Sequence, residues 1–470
     1  MEKILKPKNI TYILSSIIFI LFSTFFILKK SIILYLALIV GLPLIIYITY
    51  SFFKHQSYFI PALIITSSLE NIHLSQLRLF PISLFHVTFF AFLGFFILKK
   101  LYDKDLSINI PDKFGYLFIF LFIMTFSIIY SPNRLDALLY ITRFFFLLLM
   151  SIFIANIEIT KRELYIILIL WALNILILSG YNLYLFKQVP LAKFVSEKLN
   201  PFNPATRIKG VFESVNKFAI FLSSFNIVGF SIILVSKIKL KYKLMILTIL
   251  AIISAAILTT FTRSVFLISF ISIFIIYFFT PYKKLYHITA ITGLIALIIL
   301  YFTNDFVQSY INRFLILISS GRVDYSASTR INLLIGAYNI GTDHLLTGVG
   351  LRGFPHYYNG FYMPHSHSLW EVIICHNIFG LYFAELGILG LIALILYFFQ
   401  YFLFHLKKIN KINDPLLKSI YLGILLSVFQ YFLFFQFEPS NFTINFFWIF
   451  TGLSYTILSY INKLNSKNNV

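Results

Sequence analysis

Leu244–Thr280 reads LMILTILAIISAAILTTFTRSVFLISFISIFIIYFFT, thirty-seven residues interrupted only by the short polar run TTFTRS. As one helix it would rise about 55 Å, nearly twice the roughly 30 Å of bilayer hydrocarbon. It therefore has to fold back on itself, as two membrane-crossing helices joined at a turn that carries Arg263. Similar apolar runs recur from Ile10 almost to the C-terminus. They are continuous where barrel strands would alternate, which predicts helices.

Composition agrees with that reading. Of 470 residues 59% are hydrophobic and only 12% charged, with a mean hydropathy of +0.88. These values exclude a soluble globular domain. The expected fold is all-α and polytopic, with about fourteen spanning helices (twelve to fourteen). They lie near 10–28, 31–52, 57–69, 80–98, 114–130, 137–155, 164–183, 218–236, 244–261, 264–280, 285–303, 381–403, 419–436 and 442–460. The third is short and holds Pro61. One large loop, 304–380, separates the eleventh span from the twelfth. Three regions follow: N-terminal spans over 1–200, a catalytic region over 201–403 that includes the loop, and a C-terminal helix pair with its tail over 404–470.

The net charge of +21 is spread through short inter-span loops and gathers in no block. It reads as a topology signal with no call for nucleic acid. The lysine-rich loops, around Lys99, Lys161, Lys237, Lys283 and Lys407, belong to the cytoplasm. The opposite short loops hold only Lys29, Lys30, Arg78, Arg134 and Arg263. Loop 304–380 and the stretch 184–217 then face outward. The single cysteine, Cys375, excludes an internal disulfide. The N-terminus reads as a retained first span.

Most of the candidate chemistry lies in 304–380, with four arginines and five histidines. SASTRINLLIGAYNIG predicts a short helix capped by Ser326 or Ser328 and ended by Gly341. Ile331, Leu334, Ile335 and Tyr338 would form its apolar face, and Arg330 would lie in its first turn. Gly348, Gly350 and Gly353 fit a tight turn better than a phosphate cradle, because no Walker lysine accompanies them. His365, His367 and His376 would suit zinc only weakly without an HExxH helix, so no metal is expected. His376, just before a span, suits a general base. Arg207, Arg263 and Arg330 suit a diphosphate, which guanidinium forks grip in a planar, permanently charged way. Arg143, inside the sixth span, either faces the same cavity or snorkels outward. DKD at Asp103–Asp105 imitates a metal-binding motif but falls in a lysine-rich loop.

The order of these residues resembles the O-antigen ligase and polymerase family. The matching elements are Arg207, Gly210, Phe212 and Asn216; Thr262 and Arg263; Arg330; the run His344–Gly350; and His376, Asn377, Glu385, Leu386 and Gly387. The resemblance covers about 207–403. It implies cofactor-free, metal-independent, inverting glycosyl transfer at the outer face of a bacterial cytoplasmic membrane. The donor would be an undecaprenyl-diphosphate-linked glycan, and the acceptor a hydroxyl on lipid A core (ligase) or on another lipid-linked repeat unit (polymerase). His376 would be the base and Arg207, Arg263 and Arg330 the diphosphate clamp, with His367, Arg143 and Glu385 as secondary candidates. Two departures stand out: His344-Leu345 replaces a proline-containing approach to the turn, and PHSHS makes His367 a rival base. A flippase or transporter of the same lipids is the alternative from another class, and it would need a polar path through the spans.

Overall fold

The structure is a computed structural model. It describes residues 50–69, 83–188, 207–303, 308, 325–363, 375–438 and 441–468. The first two expected spans lie almost wholly outside these residues, as do Lys29, Lys30, His365 and His367.

Twelve of the expected spans correspond to helices: α1 Phe59–Ser68, α2 Leu84–Tyr102, α3 Gly115–Ser127, α4 Arg134–Ala155, α5 Lys161–Lys187, α6 Val215–Val235, α7 Leu240–Leu258, α8 Arg263–Phe279, α9 Lys283–Thr303, α12 Ile378–Ile409, α13 Pro415–Phe434 and α14 Asn445–Asn468. Between α9 and α12 lie α10, Tyr325–Asp343, and the single turn α11, Phe354–Tyr357. Seven helices are long and apolar enough to cross a bilayer, and no strand occurs among the described residues. The chain is an all-α, polytopic membrane protein. The third expected span is only the ten residues of α1, about 15 Å long, too short to cross.

α6 lies at the centre, buried on nearly all sides. Apolar association is weak inside a bilayer, so its neighbours are held by close backbone approach and small polar groups. A Cβ on Gly423 of α13 would stand 2.7 Å from the Val228 Cα of α6, and one on Gly452 of α14 would stand 2.6 Å from the Ser151 carbonyl of α4. Ser231 and Ser427 donate across the α6–α13 contact to the carbonyls of Ser419 and Ser224, at 2.8 and 2.7 Å. Outward flanks, such as Phe270, Phe274 and Phe278 on α8, are exposed, as a lipid-facing surface requires.

The fold-back in TTFTRS is present. α7 stops at Leu258, Phe261 takes a left-handed φ of 52°, and α8 begins at Arg263.

α12 is broken. Gly387 sits at φ 65°, ψ −165°, so 378–386 forms a separate segment above the 22 residues of 388–409. Those 22 residues rise about 33 Å, one bilayer thickness. The break strands backbone groups, and the loop 345–350 satisfies them. Val349 and Gly350 N–H donate to the carbonyls of Ala384 and Glu385 (both 2.9 Å), and Ile388 N–H donates to the Leu345 carbonyl (2.8 Å). Irregular backbone is tolerated in a membrane protein where other protein satisfies it in this way. The glycines of Gly348-Val349-Gly350 are therefore explained by this interlock. The N–H groups of Val349 and Gly350 are spent on α12 and that of Gly348 on the His344 carbonyl at 2.8 Å, so they cannot cradle a phosphate. Gly348→Ala, at φ 67° with its Cβ 2.4 Å from the Glu385 carbonyl carbon, is expected to destabilise the protein by more than the roughly 1–3 kcal/mol of the backbone strain alone. Gly94→Ala, which meets open space on α2, should not. Thermal unfolding of the two purified variants makes the comparison, and equal midpoints would mean the interlock contributes nothing.

α10 differs from expectation. It is nineteen residues long, Gly341 lies inside it, and Arg330 is its sixth residue rather than part of its first turn. Its packed face is Leu333, Ala337 and Ile340, which meet Val349, Phe354, Tyr358, Leu381 and Ala384 in a small core of their own. Ile331, Leu334, Ile335 and Tyr338 are exposed. The helix carries two apolar stripes. The one built from smaller side chains packs, because Gly336 and Gly341 on that side let Tyr358 and Phe383 approach closely.

Candidate active site

The site collects where α6, α8, α10, α12 and α13 present their ends. Ser214 caps α6, accepting from the Asn216 N–H at 3.2 Å. That cap points the Asn216 amide toward the turn before α8. Arg207, just upstream, is half-buried. Its Nε donates to the Thr260 carbonyl (2.9 Å), and one terminal nitrogen donates to Asn216 Oδ1 (2.8 Å) and Thr262 Oγ1 (3.0 Å). The fold-back turn is thus the acceptor frame for Arg207. Arg263 follows Thr262 directly, as the half-buried first residue of α8.

The Asn216 amide nitrogen donates in turn to Glu438 Oε2 at 2.5 Å, and Ser214 Oγ donates to Oε1 at 3.4 Å. Glu438 follows α13 and had no place among the sequence candidates. Burial pushes its carboxyl above the usual range, while Asn216, Lys217, Arg330 and Ser214 draw it back. The charge of Arg330, on α10, acts on this carboxylate and also on His376. Glu438 is therefore linked to Arg207 by way of Asn216 and feels the charge of Arg330.

His376 stands two residues before α12, next to Asn377, the cap whose side chain accepts from Gly380 N–H at 2.8 Å. Ile378 N–H donates to the Phe435 carbonyl at 3.0 Å, and Asn377 Nδ2 to Gln436 Oε1 at 3.0 Å. The start of α12 is thereby fastened to the end of α13. The His376 ring interacts with the Phe437 carbonyl, and its Nδ1 is buried without a hydrogen-bond partner among the described residues. Where the ring N–H toward Phe437 is on Nε2, Nδ1 keeps its lone pair. Burial, then the Arg330 charge, holds the imidazole below its ordinary pKa, opposed by the Phe437 contact. Both causes keep it neutral, the form a base needs.

Of the sequence candidates, Arg207 is linked to Glu438 through Asn216, the charge of Arg330 acts on both Glu438 and His376, and Arg263 follows Thr262, an acceptor of Arg207. Glu385 does not join them as a free acid. It is 2% exposed and accepts from the Phe354 N–H at 3.3 Å, anchoring the loop that fills the α12 break. Arg143 is exposed on α4, and its charge acts on Glu213. His367 lies outside the described residues. Cys375 is buried, and burial pushes its thiol up to about 12.

At the opposite end of the bundle a cavity of about 580 Å³ opens among Lys100, Asn156, Lys408 and Lys463. Lys100 pairs with Asp105 at 3.2 Å and Lys463 with Glu158 at 2.5 Å. Asp105, of the DKD sequence, is fully exposed and held at about 2 by Ser107 and Lys100. The cavity has no imidazole among its walls.

Residues 248–395 match a family model described as O-antigen ligase. No curated protein matches the chain. The matched stretch contains Arg263, Arg330, His376 and the interlocked α12 break. Arg207 and Glu438 lie outside it.

Proposed function

We propose that this chain, a member of the O-antigen ligase family by its residues 248–395, transfers a glycan from a polyprenyl-diphosphate carrier to an acceptor hydroxyl. The single observation that carries the reading is the chain from Arg207 through Asn216 to Glu438, a carboxylate that also feels Arg330, whose charge acts in turn on the buried His376.

In this reaction the acceptor oxygen attacks the anomeric carbon of the donor sugar while His376 Nδ1 takes the hydroxyl proton. The bond from that carbon to the diphosphate oxygen breaks, and the electron pair leaves with the lipid diphosphate. A single displacement inverts the anomeric carbon. The charge that develops on the leaving group is met by guanidinium groups fixed beforehand, a form of stabilisation worth about 10²–10³ in rate per donor. Because Nδ1 is covered, the acceptor reaches it only by displacing part of that cover. Glu438 and Asn216 position the arginines and touch no reacting atom.

The lysine-rich loops at the other end support an extracytoplasmic site. Lys99, Lys100, Lys237, Lys239, Lys283, Lys407 and Lys408 all fall there. The donor class best suited is undecaprenyl diphosphate. The acceptor is a lipid A core in a ligase or another lipid-linked repeat unit in a polymerase.

Reconstitution in liposomes with a defined lipid-diphosphate-linked glycan and each acceptor in turn tests the reading. Release of lipid diphosphate together with a lengthened acceptor is expected from one of them. Movement of the intact donor across the bilayer without transfer would replace the reading with transport. In the same assay kcat/KM should fall toward acid with a midpoint below pH 6.5. A depressed imidazole pKa keeps the base form present to lower pH than an ordinary histidine would. A midpoint above 6.5 would contradict the assignment of His376.

A further inference from the structure

Arg352, in the loop that fills the α12 break, has a left-handed backbone at φ 63°. That conformation is unfavourable for a residue with a Cβ, and glycine is spared the cost. The turn that imposes it is fixed at the junction of α3 and α4. Ser131 Oγ donates to the Leu351 carbonyl at 2.7 Å, and the Leu351 N–H donates to Ser127 Oγ at 3.2 Å. The Gly353 N–H closes the turn on the Gly350 carbonyl at 2.9 Å. At Gly353 a side chain is excluded, because a Cβ would stand 2.7 Å from the carbonyl oxygens of Val349 and Gly350. One residue earlier, where the backbone also favours glycine, the sequence has arginine.

The neighbours of this side chain do not account for it. Its Cζ lies 6.0 Å from the centroid of the Tyr140 ring, at the outer limit of about 6 Å for a cation over an aromatic face. Its charge also acts on Glu385, but that carboxyl is buried and already accepts from the Phe354 N–H at 3.3 Å. Arg352 itself is half-exposed, so a ligand can reach it. Backbone strain kept where glycine would relieve it points to function. The tyrosine beneath the guanidinium leads to the histidine site. The hydroxyls of Tyr140 and Tyr382 share a hydrogen bond at 2.7 Å, and the Phe442 N–H donates to the Tyr140 hydroxyl at 3.2 Å. Tyr382 lies on the short segment 378–386 that follows His376, and Phe442 lies four residues after Glu438. Tyr140 is thus tied to both chain segments that carry the site.

Resting on the transferase reading above, we propose that Arg352 binds an oxyanion of the lipid-linked donor at the edge of the histidine site. Two groups offer that chemistry: the carrier diphosphate, and the carboxylate of an acidic sugar in the glycan. A guanidinium fork meets either with two parallel hydrogen bonds. The fixed turn holds the side chain's origin in place, so less ordering is needed on binding.

The test compares Arg352→Gly with Arg352→Ala in the purified full chain. Both lack the guanidinium, but glycine relieves the left-handed backbone and alanine keeps it. The thermal midpoint of Arg352→Gly should therefore equal or exceed that of wild type, and that of Arg352→Ala should fall below Arg352→Gly. Binding is measured for bare polyprenyl diphosphate, for a donor with a neutral glycan and for a donor with a uronic-acid glycan. Affinity for at least one of them should fall about tenfold or more in both variants. Equal loss for all three assigns the diphosphate, and loss confined to the acidic glycan assigns the carboxylate. Unchanged affinity for all three in Arg352→Gly would overturn the proposal. So would an affinity loss accompanied by a midpoint below wild type in Arg352→Gly, which would make Arg352 a structural part of the turn. Wild-type protein that binds none of the three would instead overturn the transferase reading, and this contact with it.

Discussion

His376→Ala is expected to lower the rate of glycan transfer by about 10²–10⁴, the usual worth of a positioned general base. Binding of the lipid-linked donor should stay within about twofold, because the cations that hold the diphosphate are untouched. The argument rests on which nitrogen is free. Nδ1 is buried without a hydrogen-bond partner among the described residues, and burial with the Arg330 charge lowers the ring's pKa. A purely structural histidine would behave differently. Its loss would lower the unfolding temperature and impair donor binding and turnover together. His376→Gln separates the two cases, since an amide can still donate to Phe437 but cannot accept the proton. Turnover near wild type in His376→Gln would remove the histidine from the chemistry and make His367 the next residue to examine.

Arg330→Ala should lower turnover by about 10²–10³, and Arg330→Lys should recover only part of it. The lysine keeps the charge but loses the planar fork that fits a diphosphate. Arg330 also acts on the base. Removing its charge takes away one cause of the depressed His376 pKa, so in Arg330→Ala the acid limb of kcat/KM moves upward toward pH 6.5. In Arg330→Lys the limb should stay near its wild-type position. The two readouts are independent, since the rate follows the fork and the acid limb follows the charge. Full activity in Arg330→Lys would reduce Arg330 to a point charge. An unmoved acid limb in Arg330→Ala would place it away from His376.

The spans were legible because hydrocarbon thickness constrains length and composition together. Leu244–Thr280 could only fold back, and it does so at the polar residues expected. What the spacing of apolar residues could not decide was which stripe of α10 packs. Ile331, Leu334, Ile335 and Tyr338 form the larger apolar face, but Gly336 and Gly341 lie on the other one. Close approach to Tyr358 and Phe383 outweighs side-chain size there. The glycine cluster 348–353 was legible as a turn, whereas its partner was not. The match to the broken helix at Gly387 spans nearly forty residues of sequence and shows only in three dimensions.

The site divides in the same way. Arg207, Arg330 and His376 announce themselves as charged or titratable groups beside apolar runs. Glu438 carried a weaker signal, a lone carboxylate in the short interval FQFEPSN between the last two spans. Its role appears only when Asn216 is seen to donate to it. Glu385 presents the opposite case. A carboxylate near the start of a span looks available for chemistry, yet this one is buried and accepts a backbone N–H from the loop beneath it.

The most direct test of the convergence of Arg207, Arg330 and His376 is to locate the carrier diphosphate on the protein. A lipid-linked donor analogue with a photoreactive group beside its diphosphate is irradiated with the reconstituted chain, and the labelled peptides are identified. Label should concentrate in the segments bearing Arg207–Asn216, Thr262–Arg263, Arg330 and Gln436–Glu438, and excess unmodified donor should suppress it. Label confined to the opposite end, around Lys100, Lys408 and Lys463, would contradict the account.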